Sequence, residues 1–198
     1  MSPMQGATRT TVEGAESITL ARAQAGDSEA FQMLVEENSH KMFRLAYRMT
    51  GNEADAEDVV QETFLRAYRR LGAYESRAHF SSWLHRIAAN YAIDLLRRRK
   101  RWQTDPVDAT EQTSPLTGDD PGPESRAFAS EIGIRVEAAL AGLTAKERVA
   151  FTMRHFEGLS IKEIAAATDN NVNTTKNHIF RAVRKLRKIL GPTVGDQR

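Results

Sequence analysis

The sequence predicts an all-α chain made of two small helical domains joined by a flexible acidic linker, and three observations carry that prediction. Apolar residues recur at three- and four-residue spacing on both sides of the chain's middle, strand-like alternation occurs nowhere, and a proline-rich acidic stretch interrupts the periodicity between them. The 198 residues are 40% hydrophobic and 27% charged, enough to bury two small cores without a covalent staple. With no cysteine, a disulfide framework, a cysteine-held metal and a thiol nucleophile are all excluded.

Residues 1–26 read as a disordered or partly helical extension, with Met1 to Gly14 too poor in large apolar side chains to repay its ordering. The first domain is expected over 27–102. Phe31, Leu34, Val35, Met42, Leu45, Ala46 and Met49 make one apolar face of a long helix that Thr50-Gly51 ends. Asn52 is placed to cap a second helix, whose opening turn holds Glu53, Asp55, Glu57 and Asp58, where the helix dipole favours acids over the alternative of metal binding. Its inner stripe is Ala56, Val60, Phe64, Ala67 and Leu71. A loop from Gly72 to Phe80 leads through Ser81 or Ser82 into a third helix with Leu84, Ile87, Ala88, Tyr91 and Leu95 inward.

The linker, 103–125, contains four prolines and the acids Asp105, Asp108, Glu111, Asp119, Asp120 and Glu124, with no basic residue between Arg101 and Arg126. The second domain is expected over 126–191, followed by a tail, 192–198. Ile132, Val136, Ala139, Leu140 and Leu143 mark its first helix. Two capping boxes follow, Thr144-Ala-Lys-Glu147 and Ser160-Ile-Lys-Glu163, the second opening a short helix through Ile164 and Ala165. After a polar turn, Val172, Thr175, Ile179, Ala182, Leu186 and Ile189 form the inner stripe of the last helix.

Net charge is only +2, yet the charges are segregated: Arg97 to Arg101 is an unbroken basic run, and Lys176 to Lys188 holds six basic residues and no acid. Ser160 to Leu186 has helix-turn-helix spacing, in which a braced second helix can enter a major groove. Its outward residues Asn173, Thr174, Lys176, Asn177, His178, Phe180, Arg181 and Arg184 suit base edges and thymine methyls, while Lys185 and Lys188 suit phosphates; an ordinary solvated basic face is the alternative. On the third helix, Trp83, Arg86, Asn90, Asp94 and Arg97 lie opposite the core stripe. Tyr74, Arg77, His79 and Phe80 precede them. Aromatics interleaved with cations suit unstacked single-stranded bases, although Trp83 and Phe80 also read as core. Asp58, Gln61, Glu62, Leu65 and Arg69 form a second face of the preceding helix, either a protein-docking patch around one aliphatic anchor or a solvated surface. The five histidines show no metal-ligand spacing, and neither a phosphate loop nor a nucleophile elbow occurs. No enzyme, metal or cofactor is expected. No apolar run reaches the ~18 residues that span a bilayer, and Met1 to Glu16 lacks a signal peptide's basic start and apolar core, so a cytoplasmic protein is expected.

The run Asp55-Ala-Glu-Asp-Val-Val-Gln-Glu-Thr-Phe-Leu-Arg-Ala-Tyr68, with Phe80-Ser-Ser-Trp-Leu-His-Arg-Ile-Ala-Ala-Asn90 and Asp94-Leu-Leu-Arg-Arg98, resembles region 2 of bacterial sigma factors of the extracytoplasmic-function type. Leu143-Thr-Ala-Lys-Glu-Arg148, Gly158-Leu-Ser-Ile-Lys-Glu-Ile-Ala165 and Phe180-Arg-Ala182 resemble their region 4. The resemblance covers about 27–190, in the family's order. It implies an alternative sigma factor that binds core RNA polymerase, recognises −35 and −10 promoter elements and promotes strand opening. Asp58, Gln61, Glu62 and Leu65 would dock on the clamp helices of the polymerase largest subunit. Tyr74, Arg77, His79, Phe80, Trp83, Ile87 and Asn90 would hold a flipped base of the −10 non-template strand, with Arg97 and Arg98 neutralising backbone. Thr174, Lys176, Asn177, His178, Phe180, Arg181 and Arg184 would face the −35 duplex. The linker would thread toward the active-site and RNA-exit path, and an anti-sigma factor is an expected partner.

Two departures from the family pattern stand out. Asp169-Asn-Asn171 replaces a Gly-hydrophobic-Pro turn, and Asn173-Thr-Thr175 replaces a Gly-Thr-Val helix start, with Asn173 as a candidate cap and Thr175 weakening the stripe. The run Thr174-Thr-Lys-Asn-His-Ile179 also resembles the recognition helix of LuxR-type regulators, so a helix-turn-helix regulator acting without polymerase is the alternative.

Overall fold

Local capping chemistry sets most element boundaries. The computed structural model describes residues 7–75, 79–104, 136 and 138–191, and every regular element among them is helical. The first helix, α1, spans Ala7–Gln24, within the extension expected to be disordered or partly helical. The helix is held at its C-terminal end, where Leu20 and Ala23 are buried, and helix propagates outward from a docked turn far more readily than it nucleates. Asp27 caps α2, Ser28–Thr50, by accepting from the Ala30 amide at 3.1 Å. Gly51 ends it in the left-handed conformation at φ 85° and donates to Tyr47 O at 2.7 Å. Asn52 caps α3, Glu53–Arg70, accepting from the Asp55 amide at 2.7 Å. The buried stripe of α3 is Ala56, Val59, Thr63, Phe64 and Ala67; Val59 replaces the expected Val60, which is only half-buried. A 3-10 turn, Leu71–Ala73, follows.

Helix α4 runs Phe80–Thr104. It starts at Phe80, so Ser81 and Ser82 lie inside its first turn, and its last two residues fall where the linker was expected to begin. Residues 105–125 of that linker, residues 1–6 and the tail 192–198 lie outside the described residues. In the second domain, 138–141 are helical and Ile132 is outside the described residues. Helices α5, Ala145–His155, and α6, Ile161–Ala167, each open with a reciprocal capping box, as the motifs predict. Helix α7 spans Val172–Leu190.

The two domains do not stand apart. Val149, Ala150, Met153, Ile164 and Ala167 of the second join the core built on Leu34, Leu45, Met49 and Leu84 of the first. Helix α4 is the shared element: besides Leu84 and Ala88, it buries Ala89, Ala92 and Ile93, residues the single expected stripe omits. Alanine on that second face lets neighbouring helices approach closely. A smaller cluster of Ala139, Leu140, Leu143, Ala182 and Leu186 holds the second domain together.

Candidate nucleic-acid interface

Helices α6 and α7 are joined by a four-residue turn, Thr168 to Asn171, within the expected helix-turn-helix spacing. Asp169 takes the left-handed conformation at φ 48°, the role glycine would otherwise fill. The cap of α7 is Asn171, not Asn173: its side chain accepts from the Thr174 amide at 2.7 Å. Thr175 is buried without strain on the stripe, because its hydroxyl donates to Asn171 O at 3.1 Å. Lys176, Asn177, Phe180, Arg181 and Arg184 are exposed on one side of α7, with Thr174 and His178 half-buried beside them. Phe180 keeps 65% of its surface in solvent among these cations and amides. Burial first, then Lys146 and Arg181, hold the His178 imidazole below its ordinary pKa against the opposing charge of Glu147. Lys185, expected to meet phosphate, instead donates to buried Glu147 at 2.6 Å. Burial alone would raise the Glu147 carboxyl; hydrogen bonds from Lys185 and Thr144 outweigh it and lower its pKa.

At the start of α4, Tyr74, Phe80 and Trp83 form a three-ring cluster. Tyr74 meets Phe80 edge-on at 5.9 Å between centroids and lies 4.9 Å from Trp83, while Phe80 and Trp83 are 5.7 Å apart. Phe80 is only 2% exposed and Ile87 7%, so in this arrangement both shape the cluster from beneath. Trp83 and Asn90 are half-buried, and His79, Asp94, Arg97 and Arg98 are exposed; Arg77 lies outside the described residues. Arg98 leans over the Tyr91 ring at 5.8 Å, and Arg99 pairs with Asp55, tying the basic run to the start of α3. Arg86 reaches the second domain, its Nη2 3.3 Å from Asp169 Oδ1, so the turn of the helix-turn-helix sits against the α4 face.

On α3, Asp58, Gln61 and Leu65 are exposed, and Glu62 pairs with Arg66 at 2.6 Å. Leu65 exposes 43% of its surface. Tyr68, one turn further on and absent from the predicted patch, exposes 60% while its ring packs edge-on to Phe31 at 5.0 Å. The signal was available: Tyr68 stands three residues after Leu65 and seven after Gln61, on the same face. The arrangement thus offers one acidic-aliphatic patch, one aromatic-cationic face and one amide-rich basic helix. No helix among the described residues is long and apolar enough to cross a membrane.

Comparison with known proteins matches both domains. The Sigma-70 region 2 model matches residues 34–102 and the Sigma-70, region 4 model residues 134–186. The ECF RNA polymerase sigma factor SigE of Mycolicibacterium smegmatis is 37% identical over 157 residues, covering 79% of this chain and 60% of that protein. The RNA polymerase sigma-H factor of Pseudomonas aeruginosa is 36% identical over 180 residues, 88% of this chain and 93% of that one. Among solved structures, CnrH in complex with the cytosolic domain of CnrY superposes with a TM-score of 0.63 at 27% identity, covering 89% of this chain and 97% of CnrH.

Proposed function

Since the chain belongs to the sigma-70 family, as a sigma factor of the extracytoplasmic-function type, we propose that it binds core RNA polymerase, recognises −35 and −10 promoter elements and promotes strand opening through the residues described above. The observation that carries this reading is the pair of family matches, region 2 then region 4, on one chain. A LuxR-type regulator accounts only for the second domain, so the match over 34–102 leaves that alternative without support. The chain is a DNA-binding initiation factor, and we read it as non-enzymatic and cytoplasmic.

In this reading α3 docks on the clamp helices through Asp58, Gln61, Glu62 and Leu65, and Tyr68 extends the apolar anchor. The half-buried Trp83 offers a ring for stacking, Asn90 an amide for a base edge, and Arg97 and Arg98 cations for the adjoining backbone. Tyr74 walls the ring cluster, and Phe80 and Ile87 support it from the interior. Capturing unstacked bases shifts the melting equilibrium without ATP, because the pocket offsets a cost of a few kcal/mol per extruded base. Upstream, α7 presents Thr174, Lys176, Asn177, His178, Phe180, Arg181 and Arg184 to duplex DNA. A protein inhibitor of the anti-sigma kind is the natural partner, supported by the capture of CnrH with the cytosolic domain of CnrY. The test is run-off transcription with core polymerase on a promoter library: transcripts that depend on added chain support the reading, and the absence of any chain-dependent transcript, with duplex binding by the chain intact, overturns it.

A further inference from the structure

Helix α1 meets the aromatic cluster at one polar point. The Gln24 side chain, at the last position of α1, donates from Nε2 to Leu71 O at 3.0 Å and to Tyr74 O at 2.8 Å. Those two carbonyls bracket the 3-10 turn, which closes on itself when the Tyr74 amide donates to Leu71 O at 3.1 Å. One side-chain nitrogen therefore holds both ends of the segment that delivers the Tyr74 ring to Phe80 and Trp83. Alongside it, Leu20 and Ala23 of α1 belong to the same core as Tyr74 and Phe80. Arg22 pairs with Asp27 at 2.7 Å across the connection between α1 and α2. The Tyr74 phenol also feels this helix: burial first, and then the charge of Glu16, raise its pKa.

We propose that α1 is the back wall of the strand-capturing cluster and that Gln24 is its positioning residue, setting where Tyr74 stands beside Trp83. The chemistry demanded at position 24 is a side chain with at least two N–H donors on one terminus, because two carbonyl oxygens must be satisfied from one point. A glutamate of the same shape presents oxygens to oxygens and repels the turn. An apolar side chain leaves both carbonyls without this donor and loosens its hold on the turn, and with it on the ring that limits the space over Trp83. The proposal rests on the reading of Tyr74 and Trp83 as the site of single-strand capture.

The experiment compares Gln24→Leu, Gln24→Glu and Gln24→Lys in the full chain, alone and bound to core polymerase, with Trp102→Phe throughout so that Trp83 reports alone. For the core-bound protein, Gln24→Leu and Gln24→Glu should weaken retention of a single-stranded −10 oligonucleotide by about tenfold, whereas Gln24→Lys, which keeps its donors, should stay within about threefold. Core-polymerase affinity and upstream duplex binding should hold within about twofold for all three. In the free chain, Trp83 emission should shift with Leu and Glu and return with Lys. Unchanged strand retention and Trp83 emission in Gln24→Leu would overturn the proposal, as would Lys behaving like Leu in both. If the parent chain itself fails to retain the strand, the capture reading falls, and Trp83 emission still decides whether Gln24 positions the cluster.

Discussion

Arg148 of α5 donates from Nε to the carbonyl of Arg48 on the last turn of α2, at 2.9 Å and across 100 residues of sequence. The final carbonyls of a helix lack intrahelical partners and favour a cation, so this buried guanidinium both satisfies one and neutralises the end of the dipole. Gly51 makes room for it: a β-carbon there would lie 2.7 Å from Nη2. Arg148→Ala should lower unfolding stability by about 1–3 kcal/mol. Gly51→Ala should cost at least about 1–2 kcal/mol from its positive φ alone, and more from displacing the guanidinium. Denaturant titration of both single variants and the double variant checks this; the Gly51→Ala penalty should shrink when Arg148 is already alanine.

His85 is buried between the domains, and burial first, then the charge of Lys41, lowers its pKa to about 4. Glu157 stands 3.9 Å away, too far to hydrogen-bond, with its charge directed to Arg48 at 3.5 Å. Because the folded pKa lies below the unfolded value, stability from the neutral imidazole is full above about pH 6.5 and drains as pH falls toward 4, by roughly 3 kcal/mol at most. Glu157, whose pKa burial raises, acts in the opposite sense, since its neutral form gains as pH falls. The difference between the parent chain and His85→Gln isolates the histidine: unfolding free energies measured from pH 7 to 4 should fall more steeply in the parent.

Leu65→Asp and Tyr68→Ala should each weaken binding to core polymerase by more than about 1 kcal/mol, as expected for anchors inside an interface. Both residues are on the exposed surface of α3 and neither belongs to α7, so upstream duplex binding should be unaltered. Fluorescence titration of labelled chain with core enzyme measures the effect, and parent-like affinity in both variants would move the docking face elsewhere.

Arg181→Ala should reduce binding to the preferred −35 duplex by about 1–3 kcal/mol and relax discrimination at one base position. Lys188→Ala, also on exposed α7 surface, should weaken all sequences alike and reduce the salt slope by about 1. Titrations on preferred and scrambled duplexes at several salt concentrations separate the two; equal loss on both duplexes for Arg181→Ala would mean that it touches phosphate only.

Features set by neighbours in sequence were legible in advance. Asn52, Gly51 and the two capping boxes act within four residues, and the periodicity of α2 and α7 names their inner faces. Features that depend on distant partners were not. Nothing local to Lys185 announces Glu147, and Arg148 reads as an ordinary helix charge until Gly51 and the end of α2 stand beside it. The second buried face of α4 is hidden because alanines carry little hydrophobic signal. Helix α1 was legible only as a disordered or partly helical extension, because the described side chains that hold it, Leu20, Ala23 and Gln24, meet partners distant in sequence. At the candidate site, the inward place of Ile87 follows from the periodicity and Phe80 already reads as possible core, and both are buried, whereas only its spacing from Leu65 and Gln61 separates the exposed Tyr68 from an ordinary helix residue.

The division of labour between the domains is tested most directly by photo-crosslinking within the complex of chain, core polymerase and promoter, with a photoreactive side chain at exposed Asp94 in one preparation and at exposed Asn177 in another. The account predicts that position 94 labels the non-template strand of the −10 element only when core polymerase is present, and that position 177 labels the −35 duplex. Labelling of the same duplex segment from both positions, independent of polymerase, would contradict it.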